Sequence, residues 1–134
     1  MAAELTLTQT DEIRRLFALF SHVFDNGEVD ALGQVFAADG VIELARTGSV
    51  FQGLDAIRKF NLSLGEHSPD HHTVDTVLSV DEDGTVRGRS RYLAILPDGS
   101  LHNGDYFDVL VHTEAGWRIA YRRSVPRYPL AGLH

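Results

Sequence analysis

The sequence predicts an α+β fold, and three observations carry the prediction. The first third of the 134-residue chain repeats apolar residues at helical spacing, whereas the second half runs through four long strand-like segments. Asp83-Gly84, Asp98-Gly99 and Ala115-Gly116 separate those segments as hairpin turns. Helices come first and antiparallel strands last, the order that lets helices cover one face of a sheet.

Taken in order, Thr8 or Thr10 is positioned to cap the first helix, with Asp11 and Glu12 near its positive end. Ile13, Leu16, Phe17, Phe20, Val23 and Phe24 form its apolar stripe, and Asp25-Asn26-Gly27 is the stop. A short second helix is expected from Val29 to Phe36, ending before Ala38-Asp39-Gly40. Val41 to Leu44 reads as a strand and Gly48 to Phe51 as its return. A third helix runs from Gly53 to about Leu64, with Leu54, Ile57, Phe60 and Leu64 on one side. Strands then follow at about 71–80, 85–96, 101–113 and 116–125. A sheet of such long strands twists and presents a concave face. The helices are the elements available to cover it, so the expected shape is a half-open cone with a pocket between helices and sheet.

Length and composition fit one domain over residues 1–134, with 43 % hydrophobic residues to fill a core. No apolar run approaches the roughly 20 residues that span a bilayer, and the start Met1-Ala2-Ala3-Glu4 lacks a signal-peptide pattern. A cytoplasmic location is the default expectation. The absence of cysteine removes disulfide and thiolate chemistry. A net charge of −7 disfavours nucleic acid. The alternating Arg87, Arg89 and Arg91 read instead as a solvated or subunit-contacting sheet face, and a homodimer, or next a trimer, is expected. Asp81-Glu82-Asp83-Gly84 is a hairpin rather than a calcium loop, because the remaining ligand positions are missing. His67, Asp70, His71, His72 and Asp75 form a cluster without metal-ligand spacing, so neither metal nor cofactor is expected.

Three stretches resemble SnoaL-like proteins of the nuclear-transport-factor-2-like (NTF2-like) superfamily. They are Gly53-Leu54-Asp55-Ala56-Ile57, Gly104-Asp105-Tyr106-Phe107-Asp108 and Gly116-Trp117-Arg118-Ile119-Ala120-Tyr121-Arg122-Arg123. The order of elements matches over essentially the whole chain and implies an NTF2-like cone, N-terminal helices packed on a strongly curved, mostly antiparallel sheet. Within the superfamily the chain is most similar to the hexachlorocyclohexane dehydrochlorinase and scytalone dehydratase branch. The segment from Asp25 to Asp39, His71 with Asp75 four residues later, Arg122 five residues after Trp117, and the tail Pro129 to His134 carry that similarity. It implies that Asp25, His71 and Arg122 are catalytic, with His71 the base. Departures are Phe20 where the dehydrochlorinase has a functional polar or basic residue, Asp75 where asparagine is usual, and Asp105 in place of an arginine.

The implied chemistry is physically sound. An imidazole titrates near ~6.5 in water, and a carboxylate on one ring nitrogen leaves the other free to take a proton. Arg122 carries a permanent charge suited to a departing anion or developing enolate. His71 and His72 alternate on a strand and point to opposite faces, and the resemblance selects His71 for the interior. His102, Gly104, Tyr106 and Asp108 share one strand face. Tyr106 and Asp108 are candidates either to bind ligand or to orient Arg122. Phe17, Phe20, Phe24, Phe36 and Phe60 are available to line a hydrophobic pocket. Tyr92 is a further candidate, although it and Trp117 also suit core filling; His22, His112 and His134 read as surface. The expected function is a cofactor-free lyase or isomerase (dehydratase, cyclase or ketosteroid-isomerase-like) acting on a hydrophobic small molecule. The alternatives are a non-catalytic binding or oligomerisation module and, lower, a structural subunit of a ring-hydroxylating dioxygenase.

Overall fold

The structure, a computed structural model, describes residues 4–130. Most of the tail similar to the dehydrochlorinase, His134 included, lies outside the described residues, as does the start of the N-terminus.

Helix α1 spans Leu7–Asp25. Its cap is Thr6 rather than Thr8 or Thr10. The Gln9 amide N–H donates to Thr6 Oγ1 (3.1 Å) and the Thr6 N–H donates to Gln9 Oε1 (2.9 Å), a reciprocal pair that neither later threonine can form. All six residues of the expected apolar stripe are buried. The segment Val29–Gln34 is a 3₁₀ helix, shorter than expected. Strand β1 covers Phe36–Leu44, so Phe36 begins a strand instead of ending a helix. Ala38-Asp39-Gly40, read from sequence as a break, is an irregularity inside β1 where its register shifts between Phe36 and Val41. A Cβ on Gly40 would lie 2.9 Å from the Ala37 carbonyl oxygen, which is why glycine occupies the site.

Strand β2 (Ser49–Gln52) and helix α2 (Leu54–Leu64) follow. Strands β3 (Asp70–Val80), β4 (Val86–Ile95), β5 (Leu101–Thr113) and β6 (Gly116–Tyr128) complete the chain. The six strands form one sheet in the order β2-β1-β6-β5-β4-β3. β1 and β6 pair in parallel and the other neighbours antiparallel. Register shifts at Val74/Val77, Asn103/Gly104 and Val109/Leu110 bend the long strands. Asp75 sits in the first of these at φ +54°, a left-handed conformation that asparagine and aspartate tolerate best.

The core fills the space between α1 and the concave face and includes Phe17, Phe20 and Phe24 together with Leu110, Trp117 and Ile119. The convex face carries Arg87, Arg89 and Arg91. Arg87 pairs with Asp81 (2.6 Å), Arg91 with Asp105 (2.5 Å), and Arg89 lies over the Phe107 ring. Asp105 therefore faces away from the concave side and ties β5 to β4. No helix among the described residues is long and apolar enough to cross a membrane.

Candidate active site

A cavity of about 270 Å³ opens between the helices and the concave sheet. α1 contributes Phe20 and Phe24, and α2 contributes Phe60 and Leu64. The sheet contributes Ile42, Leu44, His71, Tyr92, His102, Tyr106, Arg122 and Ser124. Arg46, Thr47, His67 and Leu96 from the connecting turns complete much of the lining. The walls are thus largely apolar, with polar groups confined to a few points, as small-molecule sites require.

The most tightly built of these points joins α1 to β3. Asp25 Oδ1 lies 2.6 Å from His71 Nδ1, and Asp25 Oδ2 accepts the His71 backbone N–H at 2.6 Å. The two side chains are only 8 % and 13 % exposed. An ionised carboxylate accepts and cannot donate, so it selects the Nδ1–H tautomer and leaves the lone pair on Nε2. The ring is braced by edge contacts from Phe20 and Phe24, each 6.3 Å between centroids, and by Tyr92 at 5.9 Å.

The end of α1 is itself fastened. Asn61 of α2 is buried and donates from Nδ2 to the Phe24 carbonyl at 2.9 Å, satisfying one of the open carbonyls at the helix terminus. The residue bearing the carboxylate is the next in the chain.

Arg122 forms the second polar point. Nε and Nη2 donate to Asp108 at 2.7 and 2.9 Å, a bidentate pair with side chains 1 % and 0 % exposed. The guanidinium carbon lies 4.0 Å from the Tyr106 ring centre and 4.4 Å from that of Phe20, so the cation packs against both rings, which meet edge to face. Nη1 is buried and has no hydrogen-bond partner. Burial opposes the guanidinium charge, but the neighbouring Asp108 outweighs it and raises the Arg122 pKa. Burial also pushes the Tyr106 phenol far above its usual range, so that it stays a neutral donor. Tyr106 stacks on Tyr92 at 4.7 Å. Room for Tyr92 depends on Gly104, where a Cβ would lie 2.4 Å from both Tyr92 Cε2 and the Val125 carbonyl oxygen.

Residues 5–123 match the SnoaL-like domain family. This chain belongs to that family. No curated protein matches the chain. Among solved structures, this SnoaL-like chain is similar to Rv3472 from Mycobacterium tuberculosis, a protein of unknown function. The two share 27 % identity over 90 % of this chain and 72 % of that one, with a TM-score of 0.79. A cystatin-like-fold protein of unknown function from Nostoc punctiforme superposes with a TM-score of 0.82 at 19 % identity, covering 98 % of this chain and 100 % of its own. A candidate scytalone dehydratase from Novosphingobium aromaticivorans gives 0.78 at 22 % identity, covering 90 % and 85 %. The last two likenesses establish the NTF2-like fold alone.

The SnoaL-like cavity brings together Asp25, His71, Arg122, Phe20, Phe24, Phe60, Tyr92 and Tyr106, with Asp25 reaching it through its contact to His71. Three expectations about the lining are corrected. Phe36 and Phe17 belong to the core behind the wall, where Phe36 meets the edge of Phe20 at 5.9 Å and Phe17 lies 5.1 Å beneath the Arg122 cation. Asp108 does not reach the cavity, because Arg122 covers it and consumes both its oxygens. Two residues were missed. Asn61 was signalled by its place on the apolar side of α2, four residues after Ile57, where a polar side chain needs a partner. His102 was signalled only by sharing a strand face with Tyr106. Among the described residues, no group of three or more His, Asp or Glu gathers as a metal site.

Proposed function

We propose that this protein is a cofactor-free lyase or isomerase that removes a proton from a hydrophobic small molecule. The observation that carries the reading is the 2.6 Å contact between Asp25 and His71 beside an apolar cavity. His71 Nε2 takes the proton from a carbon next to a carbonyl or leaving group. Asp25 stabilises the imidazolium that forms, a contribution of ~10²–10⁴-fold for a positioned general base. Arg122 Nη1 and the Tyr106 hydroxyl are donors available to the oxyanion that develops as the proton departs. Elimination, double-bond migration and ring closure share that first step. Solvent-exposed arginines and apolar residues on the convex face support self-association as a homodimer, with sedimentation as the check.

The test needs no knowledge of the natural substrate. 1-Tetralone in deuterated buffer exchanges its α-hydrogens only as fast as they are abstracted, and proton NMR follows the loss. The wild type is expected to accelerate exchange, and His71→Gln to return it to the buffer rate with an unchanged circular dichroism spectrum. Equal rates for the two proteins would remove the mechanism. A second reading, a binding module without turnover, is favoured by Phe20, an apolar residue against both His71 and Arg122. It predicts that the ketone binds without exchange.

A further inference from the structure

A second cavity, of about 230 Å³, has only Phe24 in common with the substrate cavity among its described lining residues. It lies where the end of α1, helix α2 and the segment leading into β3 meet, and Asp25, Asn61 and Ser68 are among its walls. Two of those polar groups are left over by the rest of the fold. Asn61 is 3 % exposed, and its Nδ2 donates to the Phe24 carbonyl at 2.9 Å. A carbonyl only accepts, so this contact settles which end of the amide is the nitrogen. Asn61 Oδ1 is then buried with no hydrogen-bond partner, and so is Ser68 Oγ. The third group is the Asp25 carboxylate. Each of its oxygens takes one bond from His71, and a carboxylate accepts about four in all. Both leftover groups adjoin the dyad in the chain. Asn61 holds the residue before Asp25, and Ser68 stands three residues before His71.

We propose that Asn61 and Ser68 are positioning residues for Asp25, acting through one ordered water that the three groups hold between them. The proposal rests on reading Asp25 and His71 as the base. Its chemistry follows from the atoms left over. Asn61 Oδ1 and the carboxylate accept and cannot donate, so whatever joins them must carry two donors. Water carries two, and it accepts a third bond from the Ser68 hydroxyl. Three bonds are the usual complement of a buried water, whose share of volume, about 30 Å³, the cavity exceeds several times. An unsatisfied buried oxygen is costly, so a water that satisfies two at once is held in place. This water fastens Asp25 from a third direction. The ring and the backbone N–H of His71 hold the carboxylate from β3 alone, and neither stops it tilting together with that strand. A bond running to α2 and to the segment before β3 ties it to elements that flank His71.

A crystal structure at a resolution that shows ordered water tests the site. The expected result is one water within hydrogen-bond distance of Asn61 Oδ1, Ser68 Oγ and an Asp25 oxygen, lost or displaced in Ser68→Ala. Exchange of 1-tetralone tests the role. At saturating ketone, Ser68→Ala is expected to be about fivefold slower, the equivalent of one hydrogen bond. Its KM should be unchanged, because Ser68 is not among the residues lining the substrate cavity. Ser68→Thr keeps the hydroxyl and should recover most of the rate. A general loosening of the fold would instead raise KM or lower the unfolding midpoint. No such water in the wild type, an unchanged rate in Ser68→Ala, a change confined to KM, or a Ser68→Thr variant as slow as Ser68→Ala would each overturn the proposal. A wild type that does not accelerate exchange would remove the base and this role together, whereas the water is read in the crystal independently of turnover.

Discussion

Asp25 grips His71 at two atoms, the ring Nδ1 and the backbone N–H, each at 2.6 Å. One carboxylate thereby fixes both the tautomer of the imidazole and the height of β3 against the end of α1.

Asp25→Asn is expected to keep the backbone contact and lose the ionic one. An amide offers no charge to an imidazolium, so exchange of 1-tetralone should fall by about 10²–10⁴-fold while the thermal unfolding midpoint moves little. Nitrogen-15 NMR should find the protonated nitrogen of His71 redistributed between the two ring positions. Full activity in this variant would detach the carboxylate from the chemistry.

Asn61→Leu leaves the Phe24 carbonyl buried without its donor. The expected loss of stability is about 1–3 kcal/mol, measured by urea denaturation. Slower exchange should accompany it, because the next residue along is Asp25. A variant as stable as the parent would mean that another donor reaches that carbonyl.

Gly104→Ala drives a methyl group into the Tyr92 ring and the Val125 carbonyl, both 2.4 Å away, and the backbone side of that clash has no rotamer to relieve it. A cost of about 1–3 kcal/mol is expected. Displacing Tyr92 also removes its contact with the His71 ring, so exchange of 1-tetralone should slow in the same variant. Gly99→Ala is the contrasting control, since nothing stands within 4 Å of its added methyl and only its φ of +83° resists the change.

The depressed pKa of His102 sets a direction for acid stability. In the unfolded chain this histidine takes up a proton near ~6.5, whereas in the folded chain it does so only at lower pH. Between those values the unfolded state holds more protons, so stability falls as pH drops below about 6.5. His102→Asn removes that increment, and its urea midpoint should decline less steeply between pH 7 and pH 5 than that of the parent. Parallel profiles would contradict the assignment.

Asp108→Asn strips the charge that balances a fully buried guanidinium. Breaking one side of such a pair costs about 3–5 kcal/mol, which urea denaturation measures directly. A loss below about 1 kcal/mol would mean that Arg122 has found another counter-charge.

The sequence made some of this legible for identifiable reasons. The six apolar residues of α1 and the glycine-marked turns are local signals, and they located the helix and the meander of strands. The parallel contact of β1 with β6 is not local. Phe36 joins β1 because Ile119, far along the chain, offers it a partner, and no nearby residue announces that. Alternation along β5 correctly put Tyr106 and Asp108 on one face, but a face says nothing of depth. The long side chain of Arg122 lies over Asp108 and separates it from the cavity. Asp25 and His71 were linked through family likeness, because 46 positions in the chain separate them.

The buried guanidinium has an evolutionary corollary. Arg122 lines the cavity and also anchors the interior through Asp108, so a change at this position threatens the fold whatever it does to the cavity. Positions that line the cavity without that double duty include Thr47 and Leu96 on the connecting turns. Libraries randomised there should yield folded variants with altered preferences far more often than libraries randomised at Arg122.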